Sequence, residues 1–234
     1  MTAQLTIPAR FNGPPTSGNG GYSCGVIAAH IGGAARVRLH VPPPLDTPMT
    51  VKSLQDGGVE LYAQDTLVGS GSPATLDIDI PPSPGIAAAT EAMARYPARN
   101  DHLFPTCFVC GPGRPAHDGL ELYPGAVDDE GLMACTWQPA ADLLDDAGDI
   151  RDEILWSALD CPGYFAAMHG EPVPAVLGEL VGSLHRRVTG DQALVVFAWP
   201  LGQEGRKYYA GTAIATADGE VVASAHSTWI ELKG

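Results

Sequence analysis

The sequence predicts an α+β protein of two tandem, diverged units, and three observations carry the prediction. A helix and an antiparallel meander of strands can be read in each half of the 234 residues. Asp56-Gly57-Gly58 and Asp218-Gly219 have the chemistry of hairpin turns, so the strands flanking them pair antiparallel. With 28 Gly and 21 Pro, the chain is dense in turns, as a strand-rich fold requires. The expectation is two antiparallel sheets, each wrapped on a central helix and free to pair through its other face. The first unit is expected over residues 1–82, a connector over 83–103 and the second unit over 104–234.

Each element has a local reason. Residues 4–10 suit a short strand that Pro8 confines to an edge. The Gly- and Pro-rich stretch after Phe11 is a loop, and Tyr22–Ile31 reads as a helix ended by Gly32-Gly33. Alternation marks strands at Arg36–Val41, Met49–Leu54, Val59–Leu67 and Thr75–Ile80. Ile86–Tyr96 is Ala-rich and reads as a helix in the connector, stopped by Pro97. In the second half, Gly119–Tyr123 and Gly131–Trp137 read as strands about an acidic turn at Asp128-Asp129-Glu130. The central helix comes next, followed by strands at Ala175–Val188, Ala193–Pro200, Lys207–Ala217 and Glu220–Leu232.

Composition narrows the function. Hydrophobic residues make up 45% of the chain, enough for a proper core, and the net charge is −14. Phosphate recognition needs clustered Lys and Arg, so nucleic acid is not an expected partner. An anionic substrate needs a local basic or amide pocket. No apolar run of membrane-spanning length exists, and the N-terminus lacks the pattern of a secretory signal. Five cysteines is an odd number, which fits free thiols in a reducing cytoplasm, the expected location.

The chain is organised around Asp149–Gly163. Asp149 is the expected N-cap, with Asp152 and Glu153 in a first turn where the helix dipole favours negative charge. Ile154, Leu155, Ala158 and Leu159 form an apolar face, and Pro162 breaks the helix at Cys161. Asp160 would then lie at the helix C-terminus, where the dipole raises the pKa of a carboxylate. A solvated helix end is the plain alternative to a functional acid.

Three stretches resemble the hotdog-fold acyl-CoA thioesterase superfamily in its fused, double-hotdog form. Phe104–Leu122 (FPTCFVCGPGRPAHDGLEL) is similar to the cysteine–glycine opening of phenylacetyl-CoA-type thioesterase relatives. Asn19-Gly20-Gly21 through Ala29 is similar to the family's His-Gly-Gly helix start, with Asn in place of His. Arg151–Asp160 matches the same frame and ends in the family's carboxylate. The resemblance implies that one helix offers backbone N–H donors and the other the acid. Ala28 occupies the acid's frame position in the first helix, and Arg151, Asp152 and Glu153 replace His-Gly-Gly in the second. One composite site is therefore expected, with its mirror-related counterpart dead.

In that site Asp160 and Gly21 are the expected catalytic residues, and Asn19, Gly20, Tyr22, Trp156 and Ser157 the expected substrate-binding ones. Thioester hydrolysis needs a carboxylate or a water activated by one, and donors where charge develops on the carbonyl oxygen. Helix-terminal N–H groups suit that oxygen, glycines admit a close approach, and Asn19 is better suited to capping. Arg186-Arg187 is the best basic pair for a CoA phosphate, although a solvated strand end is the plainer reading. His30 reads as a core histidine and Cys161 as a packing thiol. Cys107-x-x-Cys110 with His117 and Asp118 lacks a second cysteine pair, so a structural turn is expected and no metal or cofactor. The expected partner is an acyl-CoA or related thioester, with a homo-oligomer as the expected assembly. The competing function is a non-catalytic acyl-CoA or fatty-acyl binding protein.

Overall fold

A computed structural model describes residues 2–233. The first half contains strand β1 (Thr2–Leu5), helix α1 (Gly20–Ala28) and strands β2 (Ala35–Leu39), β3 (Met49–Ser53), β4 (Val59–Ala63) and β5 (Thr66–Pro73). Helix α2 (Gly85–Ala92) follows, then β6 (Gly125–Ala126) and β7 (Met133–Trp137). Helices α3 (Asp152–Ala158) and α4 (Cys161–Ala167) precede the long strands β8 (Ala175–Leu184), β9 (Leu194–Glu204), β10 (Lys207–Thr216) and β11 (Val221–Glu231).

The expected two sheets are instead one. Among the described residues eleven strands join in the order β1-β3-β4-β5-β2-β8-β11-β10-β9-β7-β6, and the halves meet where β2 pairs antiparallel with β8. Alternation along a strand tells which face is buried but not which strand lies beside it. The joint carries its own charge matching. Glu179, nearly buried, faces Arg38 across the ladder and accepts from Arg38 at 2.8 Å and Arg36 at 2.5 Å. Both guanidinium groups are half exposed or more, so screening limits the gain. Glu179→Gln is expected to lower unfolding free energy by about 1 kcal/mol. The deficit should shrink in high salt, which paired urea titrations at low and high ionic strength would measure.

Helix α1 packs on β2, β4, β5 and β8, and α4 packs on β7, β9, β10 and β11. The other face of the second half is covered too. Val195, Phe197 and Trp199 cluster with Ala89 of α2, while Leu194 and Val196 belong to the main core. Burial on both faces explains why β9 opens as a continuous apolar run rather than an alternating one.

Several expectations need correcting. Thr75–Ile80 forms no strand, and Ile78 and Ile80 instead pack onto the α2-covered cluster. Gly119–Tyr123 is not a strand either, because the N–H groups of Leu120 and Leu122 donate to the carbonyls of Phe108 and Val109. The span Val59–Leu67 is a tight hairpin, with Gln64 in the left-handed region at φ 53°. Residues 4–10 split into the end of β1 and a 3₁₀ turn at Ala9–Phe11. Asp149 does not cap α3: Arg151 holds that position, and Asp149 pairs with Arg187 at 3.2 Å.

Candidate active site

Helices α1 and α3 lie side by side, and small residues on α1 allow it. A Cβ on Gly21 would fall 2.5 Å from the Trp156 carbonyl oxygen and 2.6 Å from Asp160 Cβ. A Cβ on Gly25 would fall 2.7 Å from Glu153 Cα. The helices therefore run antiparallel at near-backbone contact, and the start of α1 reaches the end of α3. The small residues of α1 serve close packing.

At that meeting point the chain does more than break. The break expected at Cys161 falls earlier, since α3 ends at Ala158 with Leu159 as its C-cap. Cys161 and Pro162 instead open α4, where a proline costs no helical bond, and Asp160 is the N-cap with φ −87° and ψ −85°. Asp160 thus stands between two helices rather than at the end of one. Its carboxyl is buried at 2% exposure, which excludes the solvated alternative. Oδ2 accepts from Gly21 N–H at 2.8 Å and from the Asn19 side-chain amide at 2.8 Å. Oδ1 is buried with no partner among the described residues. Burial pushes the carboxyl up from 3.8 to about 7, while the Gly21 N–H pulls it back.

Of the N–H groups of Gly20, Gly21 and Tyr22, expected to serve a substrate oxygen, the last two are already committed. Gly21 N–H holds Asp160, and Tyr22 N–H donates to Asn19 Oδ1 at 2.9 Å, so Asn19 is the helix cap. Gly20 N–H, at the first helical position, has no acceptor among the described residues. Asn19, Gly20 and Asp160 all line a cavity of 460 Å³. Tyr164, Phe165, Leu177 and Trp229 give it an apolar wall, which nothing in the sequence spacing had marked.

Other expected site residues lie elsewhere. Tyr22, Trp156 and Ser157 are buried but do not line the cavity. The Tyr22 ring stacks on Phe11 at 4.1 Å. Ser157 Oγ donates to the Glu153 carbonyl, and the Trp156 ring lies under Gly182, where a Cβ would meet it at 2.8 Å. Arg186 pairs with Glu220, and Arg187 with Asp145 and Asp149, so that basic pair is neutralised and away from the cavity. At the mirror-related position, the end of α1 carries Ala28 and the start of α3 carries Arg151, Asp152 and Glu153.

The cavity wall also holds Cys107, Cys110 and Cys161, all buried. Hydrogen bonds from its two neighbours pull the Cys107 thiol well below the usual range, while burial pushes Cys110 and the bond to Cys107 pushes Cys161 well above it. His102 touches Cys110, and burial lowers its pKa, keeping the ring neutral. His117 and Asp118 are not part of this group: Asp118 pairs with Arg10 and Arg114.

No protein-family model matches the chain, and no curated protein matches it in sequence. Solved structures do match it in shape. A Novosphingobium aromaticivorans protein, provisionally described as a thioesterase, shares 14% identity at a TM-score of 0.69, covering 100% of this chain and 96% of that one. The tesB protein of Mycobacterium avium subsp. paratuberculosis shares 12% identity at 0.63, covering 99% and 93%. Acyl-CoA thioesterase II TesB2 of Mycobacterium marinum shares 11% identity at 0.63, covering 93% and 90%. A protein of unknown function from Alicyclobacillus acidocaldarius, titled as having the hotdog fold, matches at 0.64 with 10% identity over 100% and 94%. The chain therefore has the α+β hotdog fold. No helix among the described residues is long and apolar enough to cross a membrane.

Proposed function

We propose that the protein hydrolyses acyl-CoA thioesters at one composite site, built between two fused hotdog units. The supporting observation is the buried carboxylate of Asp160, tied to the other unit by Gly21 N–H and Asn19 and left with one free oxygen. Oδ2 is fixed by its two donors, so Oδ1 is the oxygen available to take a proton. In this reading a water loses its proton to Asp160 and attacks the thioester carbonyl. Charge develops on the carbonyl oxygen, and in this reading the free Gly20 N–H receives it. The tetrahedral intermediate then collapses with loss of the thiolate, which recovers the proton from Asp160. Gly21 keeps a catalytic part only indirectly, as the anchor of the acid. Ala28 leaves the mirror position without an acid, so each chain has one working site.

The apolar wall favours an uncharged acyl group of aliphatic or aromatic character. No lysine or arginine lines the cavity among the described residues, so the CoA phosphates would remain outside it. The deciding experiment is thiol release from acyl-CoAs of graded chain length, together with phenylacetyl-CoA. Release is expected and should depend on Asp160. Binding of the same ligands, seen as a thermal shift without any thiol release, would replace this reading with that of a non-catalytic binding protein.

A further inference from the structure

The geometry points to a zinc(II) site formed by Cys107, Cys110 and Cys161. Their sulfurs all lie within 4.8 Å of one another, and those of Cys107 and Cys161 are 3.7 Å apart. A tetrahedral site with Zn–S bonds of about 2.3 Å has S···S edges of about 3.8 Å, so closure around an ion needs only small shifts. The C-x-x-C turn is already set. Gly111 N–H donates to the Cys107 carbonyl at 3.0 Å, and a Cβ on Gly111 would fall 2.5 Å from Cys107 N. The third sulfur comes from the first residue of α4, far away in sequence, which explains why spacing alone revealed only a pair.

A second, independent feature separates a metal site from three packed thiols: polar N–H groups converge on the sulfurs. The Asn19 side-chain nitrogen lies 3.8 Å from Cys161 Sγ and 4.0 Å from Cys107 Sγ. His102 Nε2 lies 3.3 Å from Cys110 Sγ. Phe104 N–H donates to His102 Nδ1 at 2.9 Å, so Nδ1 is the acceptor nitrogen and Nε2–H points at the sulfur. His102 is therefore a support for the thiolate and not a ligand. Donors arranged in this way stabilise anionic sulfur, the form that binds metal. All three cysteines line the cavity, so the fourth coordination position is filled from that side, by water. Soft thiolates favour zinc(II) or copper(I) over magnesium and calcium. Loading replaces the thiol protons with the ion and ties the loop before β6 to the start of α4.

This inference is independent of the proposed hydrolysis, and its test uses no thioester. The full chain, reduced under argon, is titrated with cobalt(II) as a spectroscopic probe, then with zinc(II) and, in a separate arm, copper(I). One equivalent of cobalt(II) should produce a near-ultraviolet thiolate charge-transfer band that zinc(II) abolishes. Cys107→Ser and Cys161→Ser should each lose tight binding, whereas Cys24→Ala and Cys135→Ala should keep it. His102→Ala, which removes a support but no ligand, should weaken zinc binding about 10–100-fold. A reduced wild-type chain with no thiolate band and no zinc retained after desalting overturns the inference. So does binding that persists in the Cys107/Cys161 double serine variant, or copper(I) uptake with no zinc(II) uptake. Metal binding without hydrolysis would defeat only the enzymatic reading, and hydrolysis without metal binding only this one.

Discussion

Asp160→Asn is expected to lower thioester turnover about 10²–10⁴-fold, the range a positioned acid–base group contributes. The substitution keeps the shape of the side chain and an oxygen to accept from Gly21 N–H and Asn19, so the helix junction should hold. What disappears is the oxygen able to take a proton from water. Burial disfavours the charged form of this carboxyl, so a neutral amide removes an electrostatic cost. The melting temperature should therefore stay level or rise while kcat falls. Circular dichroism melts run beside thiol-release kinetics would check this. Unaltered turnover in the variant would remove Asp160 from the chemistry.

Gly21→Ala should fail in a different way. Its Cβ would lie 2.5 Å from the Trp156 carbonyl oxygen, a backbone atom that cannot rotate aside. Helices α1 and α3 must separate, at an overpacking cost of about 1–3 kcal/mol. Gly21 N–H then moves away from Asp160, and displacement of a reacting group by about 1 Å can cost about 10²-fold in rate. Gly25→Ala is the matching comparison. It wedges the same helices apart, against Glu153 Cα, but lies one turn from the acid. Similar losses of stability with a much larger loss of turnover for Gly21→Ala would tie the rate to the anchor. Equal turnover losses in the two variants would assign both to packing.

Patterns that depend on a residue and its immediate neighbours were legible in the sequence. Arg36, Val37 and Arg38 alternate in burial as strand chemistry requires, and Asn19 caps its helix. The pairing of amides on α1 with an acid after α3 was also legible, through complementary losses in the two helices. Missed features depended on distant partners. Leu120 and Leu122 alternate as a strand would, yet their N–H groups bond to a neighbouring loop. Thr75–Ile80 alternates because Ile78 and Ile80 cover a sheet face rather than join an edge. Pro162 signalled a break at Cys161, whereas both residues open a second helix. Which N–H groups remain free could not be read either, since that depended on where Asp160 turned its carboxyl.

The pairing of β2 with β8 has a bearing on how the molecule fails. Had each half kept a separate sheet, every strand bordering the division would have presented unmatched amides and carbonyls to water. Continuous pairing consumes both of those borders. Heat or denaturant that parts the halves before melting them would uncover two strand edges at once, each a template for the next molecule. Loss of the native state along that route ends in precipitation, so endurance on warming is governed by how slowly this one ladder opens.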